Sequence, residues 1–160
     1  MTPTLGPEEL GPEEIERFRT IGLRLDRTGT LWHQGEPVEH PRLRQALLRW
    51  LDVRDDGRDI IRLDATRYAY VDVEDAHLRA RSGRWANDVC TVLWDDEVER
   101  ELDYATLSQA DDHALYAHVG KLRGRIAGPA YHAIAERVVA VDGGFALDAA
   151  GARWPIANAR

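Results

Sequence analysis

Hydrophobic positions along the chain follow two periods, one typical of strands and one typical of helices. Residues 21–25 alternate between apolar and polar side chains, residues 26–29 have turn composition, and residues 30–34 resume the alternation. A similar pair of alternating segments fills residues 60–73, and residues 89–94 form another short apolar run. The pattern predicts two early hairpins and a further strand in the middle of the chain.

Two segments begin with proline and continue at helical spacing, Pro41 to Leu51 and Pro129 to Val139. Proline suits the first turn of a helix. Apolar residues recur in both at i, i+3, i+4, i+7 and i+8, which is the stripe of an amphipathic helix. These residues are Leu43, Ala46, Leu47, Trp50 and Leu51 in the first segment, and Tyr131, Ile134, Ala135, Val138 and Val139 in the second. We expect both stripes in the core, in particular Leu43, Leu47 and Trp50.

The remaining segments have the composition of connections. Residues 81–84 are typical of a loop or hairpin tip, residues 95–103 carry six acidic side chains, and residues 120–128 are basic and rich in glycine. The acidic run is typical of a solvated connector between two parts of the chain. Near the N-terminus, Pro12 and the glutamates after it predict a short helix to about Arg19.

The order of predicted elements occurs twice: hairpin, break, proline helix, glycine turn, hairpin. The two helices align at a constant offset that pairs Pro41 with Pro129. We therefore predict an α+β fold of two related halves, each hairpin–helix–hairpin with mostly antiparallel strands. The predicted divisions are an N-terminal segment at residues 1–20, a first half with the acidic connector at residues 21–103, and a second half at residues 104–160.

Composition limits the classes of function. The chain has 160 residues, 44% hydrophobic and 31% charged, with a formal net charge of −7. This length permits a real core, but the charge disfavours general binding to nucleic acid or to an anionic membrane. No apolar stretch has transmembrane length and the N-terminus lacks a secretory signal, so the expected location is the cytoplasm.

Motifs for catalysis, cofactors and metals are not evident. Cys90 is the only cysteine, which excludes an intrachain disulfide and a thiolate metal cluster. Its apolar neighbours predict a buried structural thiol. No nucleophile elbow or phosphate-binding glycine pattern is present. We therefore expect no cofactor and no metal.

Several segments resemble the motifs of the bacterial DUF1285 family. Residues 25–38 read Leu-Asp-Arg-Thr-Gly-Thr-Leu-Trp-His-Gln-Gly-Glu-Pro-Val and resemble the family's I-x-R-D-G-x-W-x-x-x-G-x-P-I. Residues 71–76 and 96–98 resemble two later motifs, and residues 151–156 its final run. The resemblance implies an α+β fold with repeated motifs and no established enzymatic activity, and it points to signalling or regulation by binding.

Six side chains are candidates for ligand binding. Guanidinium groups suit phosphate or carboxylate ligands, and His77 with Asp75 offers an acid–base pair. The candidates are Arg67, Asp75, His77, Arg79, Arg81 and Arg153. Arg67 and Arg153 occupy equivalent places in the proposed repeat, each before an aromatic residue. The junction of the two halves is the expected place for a pocket.

Three functions remain open from the sequence. The first is a non-catalytic cytoplasmic binding or regulatory module that takes a small anionic ligand or a protein partner. The second is a small enzyme with an acid–base or anion site at the junction of the halves. The third is an oligomerising structural protein, such as a homodimer that pairs sheet edge to sheet edge.

Overall fold

The structure of the protein is a computed structural model, which describes residues 19–159. In this range the fold is α+β and consists mainly of strands. Of the predicted N-terminal helix, which begins at Pro12, all but Arg19 lies outside the described residues. The chain divides into two compact units between Glu74 and Asp75, whereas the sequence placed a division after residue 103.

The unit that ends at Glu74, called the N-terminal unit, is built on one mixed sheet. Its described elements are β1 (Leu23–Leu25), β2 (Leu31–His33), β3 (Glu36–Pro37), α1 (Pro41–Arg49), β4 (Leu51–Val53), β5 (Asp59–Arg62) and β6 (Tyr68–Val73). The strand order is β3-β2-β1-β6-β5-β4. Both predicted hairpins are confirmed, as β1–β2 and β5–β6, and β6 also pairs in parallel with β1.

Helix α1 begins at Pro41 as predicted, where the His40 side chain accepts a hydrogen bond from the Leu43 amide. It ends at Arg49, because Leu51 already pairs with Ile61 in β4–β5. The predicted buried stripe is wrong for Leu43 and Trp50, whereas Leu47 is half-buried and Leu51 is buried. Leu48 is 1% exposed, whereas Leu43 is 48% and Trp50 42% exposed. One residue turns a helix by about 100°, so the strand that follows directly decides which side faces the core.

The unit that begins at Asp75, called the C-terminal unit, contains two sheets. Its described elements are β7 (Leu78–Ala86), β8 (Val89–Trp94), β9 (Glu99–Glu101), a 3-10 helix (Tyr104–Thr106), β10 (Ser108–Gln109), β11 (Leu115–Val119), β12 (Leu122–Ile126), α2 (Gly128–Ala135), β13 (Val138–Val141), β14 (Gly144–Ala149), β15 (Ala152–Pro155) and β16 (Ala157–Asn158). The larger sheet has the order β16-β10-β11-β12-β7-β8-β9, and the smaller has β13-β14-β15.

Two predicted connections are strands instead. Residues 81–84 lie inside β7, and the hairpin turns at Asn87 and Asp88, whose φ angles are 50° and 69°. Asn and Asp tolerate this left-handed conformation, which two-residue hairpin turns require. Residues 120–128 contain β12, which pairs with both β11 and β7.

The acidic run at residues 95–103 is not a connector between two parts of the chain. It forms the turn after β8 and the strand β9, which pairs with β8. Asp96 is 1% exposed, and its carboxylate accepts hydrogen bonds from Arg100 at 3.2 and 2.7 Å. The charges therefore stabilise a hairpin inside the C-terminal unit, because a buried carboxylate requires such partners.

Helix α2 is shorter than predicted and ends at Ala135, while Val138 and Val139 belong to β13. Branched side chains at Cβ favour a strand over a helix, which is consistent with this change. Ile134 is fully buried on α2, and Cys90 on β8 is also fully buried, which confirms the predicted structural thiol. Burial raises the pKa of the Cys90 thiol to about 11.

The predicted repeat of two halves is not confirmed. In each unit a hairpin precedes the helix and antiparallel strands follow it, at β4–β6 and at β13–β15. The sheets that result are different. Strand β6 returns to β1 within one sheet, whereas β13–β15 form a sheet separate from β11–β12.

No helix among the described residues is long and apolar enough to cross a membrane.

Candidate binding site

A cavity of roughly 220 Å³ lies in the C-terminal unit, between α2, strands β10 and β11, and the β13–β14 hairpin. Its lining residues are Gln109, Leu115, Tyr131, Ala135, Val138, Ala140, Phe145 and Ile156. The lining residues come from α2 and from both sheets of the unit, so the cavity exists only in the folded arrangement of these elements.

Regular spacing places several of these side chains on one surface. Tyr131 and Ala135 are four residues apart on α2 and therefore share a face of the helix. Val138 and Ala140 are two residues apart and share a face of β13. Ala140 pairs with Phe145 across the hairpin, so Phe145 lies beside it on that face.

The chemistry of the lining is mainly apolar. No charged side chain lines the cavity, and its polar side chains are the amide of Gln109 and the hydroxyl of Tyr131. Leu115 is buried, whereas Phe145 is 52% exposed. An apolar recess with a few polar groups is the usual form of a site for a small ligand or a single side chain.

Two predicted site residues, Asp75 and His77, lie in a separate polar cluster of the same unit. The Tyr116 hydroxyl donates to the Asp75 carboxylate, with oxygen distances of 3.0 and 2.9 Å. Arg125 Nη1 donates to the Tyr116 oxygen at 2.6 Å, and the Arg123 guanidinium lies 3.9 Å from the centre of the Tyr116 ring. Asp75 and Tyr116 are therefore held in a fixed arrangement with two arginines.

Burial raises the pKa of Tyr116 above its ordinary value, and the hydrogen bond to Asp75 raises this pKa further. Arg125 opposes the rise but also donates to Asp112 at 2.7 Å. The phenol therefore stays protonated at neutral pH and donates to Asp75. This cluster is a satisfied network that ties the start of β7 to β11 and β12.

His77 and Arg79 form hydrogen bonds with backbone groups close to them. His77 Nδ1 accepts the Arg123 amide hydrogen at 2.9 Å, and the His77 amide donates to the Arg123 carbonyl at 2.9 Å. Arg79 Nη1 donates to the Ala76 carbonyl at 3.3 Å. No group of three or more His, Cys, Asp or Glu side chains within residues 19–159 is arranged to hold a metal ion.

The other predicted arginines each pair with an acidic residue nearby in their own unit. Arg67 Nε lies 2.6 Å from Asp64, and Arg81 pairs with Glu97. Arg153 donates to Asp148 at 2.7 and 3.1 Å. Arg67 belongs to the N-terminal unit and the other five candidates to the C-terminal unit. The structure thus brings Asp75 and His77 near Arg123, but it gives Arg67, Arg81 and Arg153 local partners.

Sequence reasoning missed the cavity. It assigned Tyr131, Ala135 and Val138 to one helical stripe, although the last of them is in a strand. One signal was available: the uncharged run 138–141 precedes Asp142-Gly143, a dipeptide typical of hairpin turns. The exposure of Phe145 has no comparable signal in the sequence.

Comparisons with known proteins agree with this architecture. No protein-family model matches the sequence, and no curated relative was found. A DUF1285 family protein from Silicibacter pomeroyi DSS-3 superposes with a TM-score of 0.73 at 21% identity, over 87% of this chain and 81% of that one. A second, from Shewanella baltica OS155, gives 0.62 at 16% identity, over 74% and 93%. The chain therefore has the fold of DUF1285 family proteins, as its sequence motifs predicted.

Proposed function

We propose that the protein is a non-catalytic binding module of the cytoplasm, with a regulatory role such as signalling. The observation that carries this proposal is the cavity of roughly 220 Å³ in the C-terminal unit. A dry apolar cavity of about 150 Å³ is enough to hold benzene. The cavity therefore suits one apolar group of a ligand, of the size of an aromatic or large aliphatic side chain.

The exposure of Phe145 supports binding at this place. A phenylalanine that is 52% exposed leaves apolar surface in water, and a ligand that covers it gains about 25 cal/mol per Å². A ligand of this size has few atoms, so we expect dissociation constants of about 10 μM to 1 mM for isolated small molecules.

The polar cluster around Asp75 supports binding over catalysis. Its carboxylate already accepts the Tyr116 hydroxyl, and Arg125 bonds to both Tyr116 and Asp112. A general acid or base must instead reach a proton of the substrate. The arginines proposed for an anionic ligand have local partners, which makes the apolar cavity the better candidate site.

Titration with indole tests the proposal. Amide resonances of Tyr131, Val138 and Phe145 are expected to shift in a saturable manner. The Ala140→Leu variant, which narrows the cavity at an exposed position, should weaken binding by about tenfold or more. Ala152→Leu adds the same side chain to β15 outside the lining and should leave binding unchanged. Shifts spread over the whole chain, or equal binding by Ala140→Leu, would contradict the proposal.

A further inference from the structure

We propose that the natural occupant of the cavity is an apolar side chain of an extended peptide, which adds as a strand to the open edge of β13. The inference rests on the proposed function and names its ligand class: a peptide with an apolar centre and basic flanks. Strand addition of this kind obtains affinity from backbone hydrogen bonds and specificity from pockets for alternate side chains.

Strand β13 is an edge strand of its sheet. It pairs with β14, and within the described residues no strand pairs with its other side. Val138–Val141 contains neither a charge nor a proline, the devices that commonly protect such edges. Ala140 and Val141 are also exposed. The edge therefore offers backbone groups and apolar side chains to a guest strand.

Neighbouring hydrogen bonds show which N–H and C=O groups of β13 point to the open edge and which point to β14. The Asp148 amide donates to the Arg137 carbonyl at 3.0 Å, so this pair is hydrogen-bonded across the hairpin. The Phe145 carbonyl accepts instead from Ile156, on the side away from β13. Because bonded and non-bonded pairs alternate in an antiparallel ladder, Val138 and Ala140 direct their N–H and C=O groups to the open edge.

The same two residues line the cavity with their side chains. A guest residue opposite Val138 or Ala140 directs its side chain to the same face of the extended sheet. That side chain then lies over the cavity, while its neighbours in the guest strand point to the other face. One strand of the protein thus supplies both the backbone ladder and part of the pocket.

Charges at the two ends of β13 favour a basic guest over a second copy of the chain. Glu136 and Asp142 are exposed at these ends, and their carboxylates make no ion pair within residues 19–159. The nearby Arg137 is paired with Asp88 at 2.7 Å. Two copies of β13 paired antiparallel around Val139 would place Glu136 opposite Asp142 of the other copy, which is repulsive. Lysine or arginine at the guest's ends would be attracted instead.

The test uses fluorescence anisotropy with the full chain and labelled heptapeptides of the form Lys-Thr-Z-Thr-Val-Thr-Lys, where Z is Phe, Leu, Ile, Met or Trp. When the two lysines lie opposite Glu136 and Asp142, Z lies opposite Val138 or Ala140, so its side chain is on the face of the cavity. At least one member is expected to bind in a saturable manner. Its counterpart with Ser at Z should have an affinity at least about tenfold lower, since the pocket contact is lost. The counterpart with Glu at both ends should also bind more weakly, with the largest difference at low salt.

Three protein variants locate the peptide. Ala140→Pro removes an outward N–H at an edge position that tolerates proline, and it should weaken peptide binding by about tenfold or more. Glu136→Gln with Asp142→Asn should weaken binding of the lysine-flanked peptide. The control, Glu39→Gln with Asp55→Asn, changes the net charge equally at exposed positions of the N-terminal unit and should have no effect.

Each outcome bears on a distinct claim. If indole binds at the cavity but no peptide binds, or if Ala140→Pro binds peptide like the unmodified chain, the strand-addition proposal is wrong and the proposed function stands. If neither indole nor peptide binds, both fail. A concentration-dependent dimer in sedimentation equilibrium that Ala140→Pro abolishes would assign the edge to a second copy and overturn the peptide proposal.

Discussion

Gly124 on β12 lies against the indole ring of Trp94. A Cβ at this position would come within 2.4 Å of two ring carbons, which is far inside van der Waals contact. Trp94 is 1% exposed, so close-packed neighbours prevent the ring from moving away. The glycine is thus required by packing rather than by backbone conformation.

Gly124→Ala is therefore expected to lower the free energy of unfolding by about 1–3 kcal/mol, the usual cost of overpacking a core. Urea denaturation followed by tryptophan fluorescence measures the change. Gly83→Ala on β7 is the control, because its Cβ would meet Ala133 at an ordinary 3.5 Å. A change within about 0.5 kcal/mol is expected for this control. An equal effect of both substitutions would show that the ring contact is not the cause.

At the scale of elements, α1 shows how a short helix takes its orientation from the strand that follows it. The sequence offers a regular stripe, yet Leu48, which is outside that stripe, is the buried residue within the helix itself. Leu51 pairs with Ile61 directly after the helix, and this pairing fixes the rotation of the last turn.

Leu48→Ala and Leu43→Ala make the same chemical change on opposite sides of α1. The first is expected to cost about 2–5 kcal/mol of unfolding free energy, because it removes buried methyl groups and leaves a cavity. The second is expected to change it by less than about 0.5 kcal/mol, because Leu43 is largely exposed. The urea midpoints of the two variants measure these changes. Equal losses of unfolding free energy would place Leu43 in the core.

Across the whole molecule, several aspartates accept hydrogen bonds from backbone amides, from Trp32 or from arginine side chains. Asp26 accepts the indole N–H of Trp32 at 2.8 Å, and this bond is the first cause of its lowered pKa. Hydrogen bonds from the Thr66 amide and the Arg67 side chain lower the pKa of Asp64. Arginine side chains lower the pKa of Asp112 and Asp148 in the C-terminal unit. Both units thus contain carboxylates that are more acidic when folded.

Acid should therefore destabilise the protein. A carboxyl group with a lowered pKa in the folded state contributes stability above its unfolded pKa of about 4, and this contribution is lost as the pH falls through the folded pKa. The free energy of unfolding in urea is expected to decline below about pH 4. Asp26→Asn should reduce the slope of this decline. Asp55→Asn, at an exposed aspartate, is the charge-matched control, and a steeper slope in Asp26→Asn would contradict the argument.

Local sequence patterns predicted the hairpins at residues 21–34 and 60–73, the proline at the start of α1 and the burial of Cys90. Each of these depends on neighbours in the chain. The same reasoning placed a turn at residues 81–84, because glycine is a stronger turn signal in a sequence than Asn and Asp. The hairpin in fact turns at Asn87 and Asp88, which adopt left-handed conformations. It also extended α2 through Val138, because helical spacing and strand alternation coincide over a few residues.

By itself, the sequence determined the α+β class, the hairpins at residues 21–34 and 60–73, the strand at residues 89–94 and the family motifs, because period, turn composition and proline position are local properties of a chain. Only the tertiary structure decided which face of α1 is buried, how β12 joins β7, and where the cavity lies. Gln109, Leu115, Tyr131 and Phe145 are far apart in sequence and meet through sheet pairing and helix packing. The open edge of β13 is likewise a property of the assembled sheet, since a strand is an edge only when no other strand pairs with its second side.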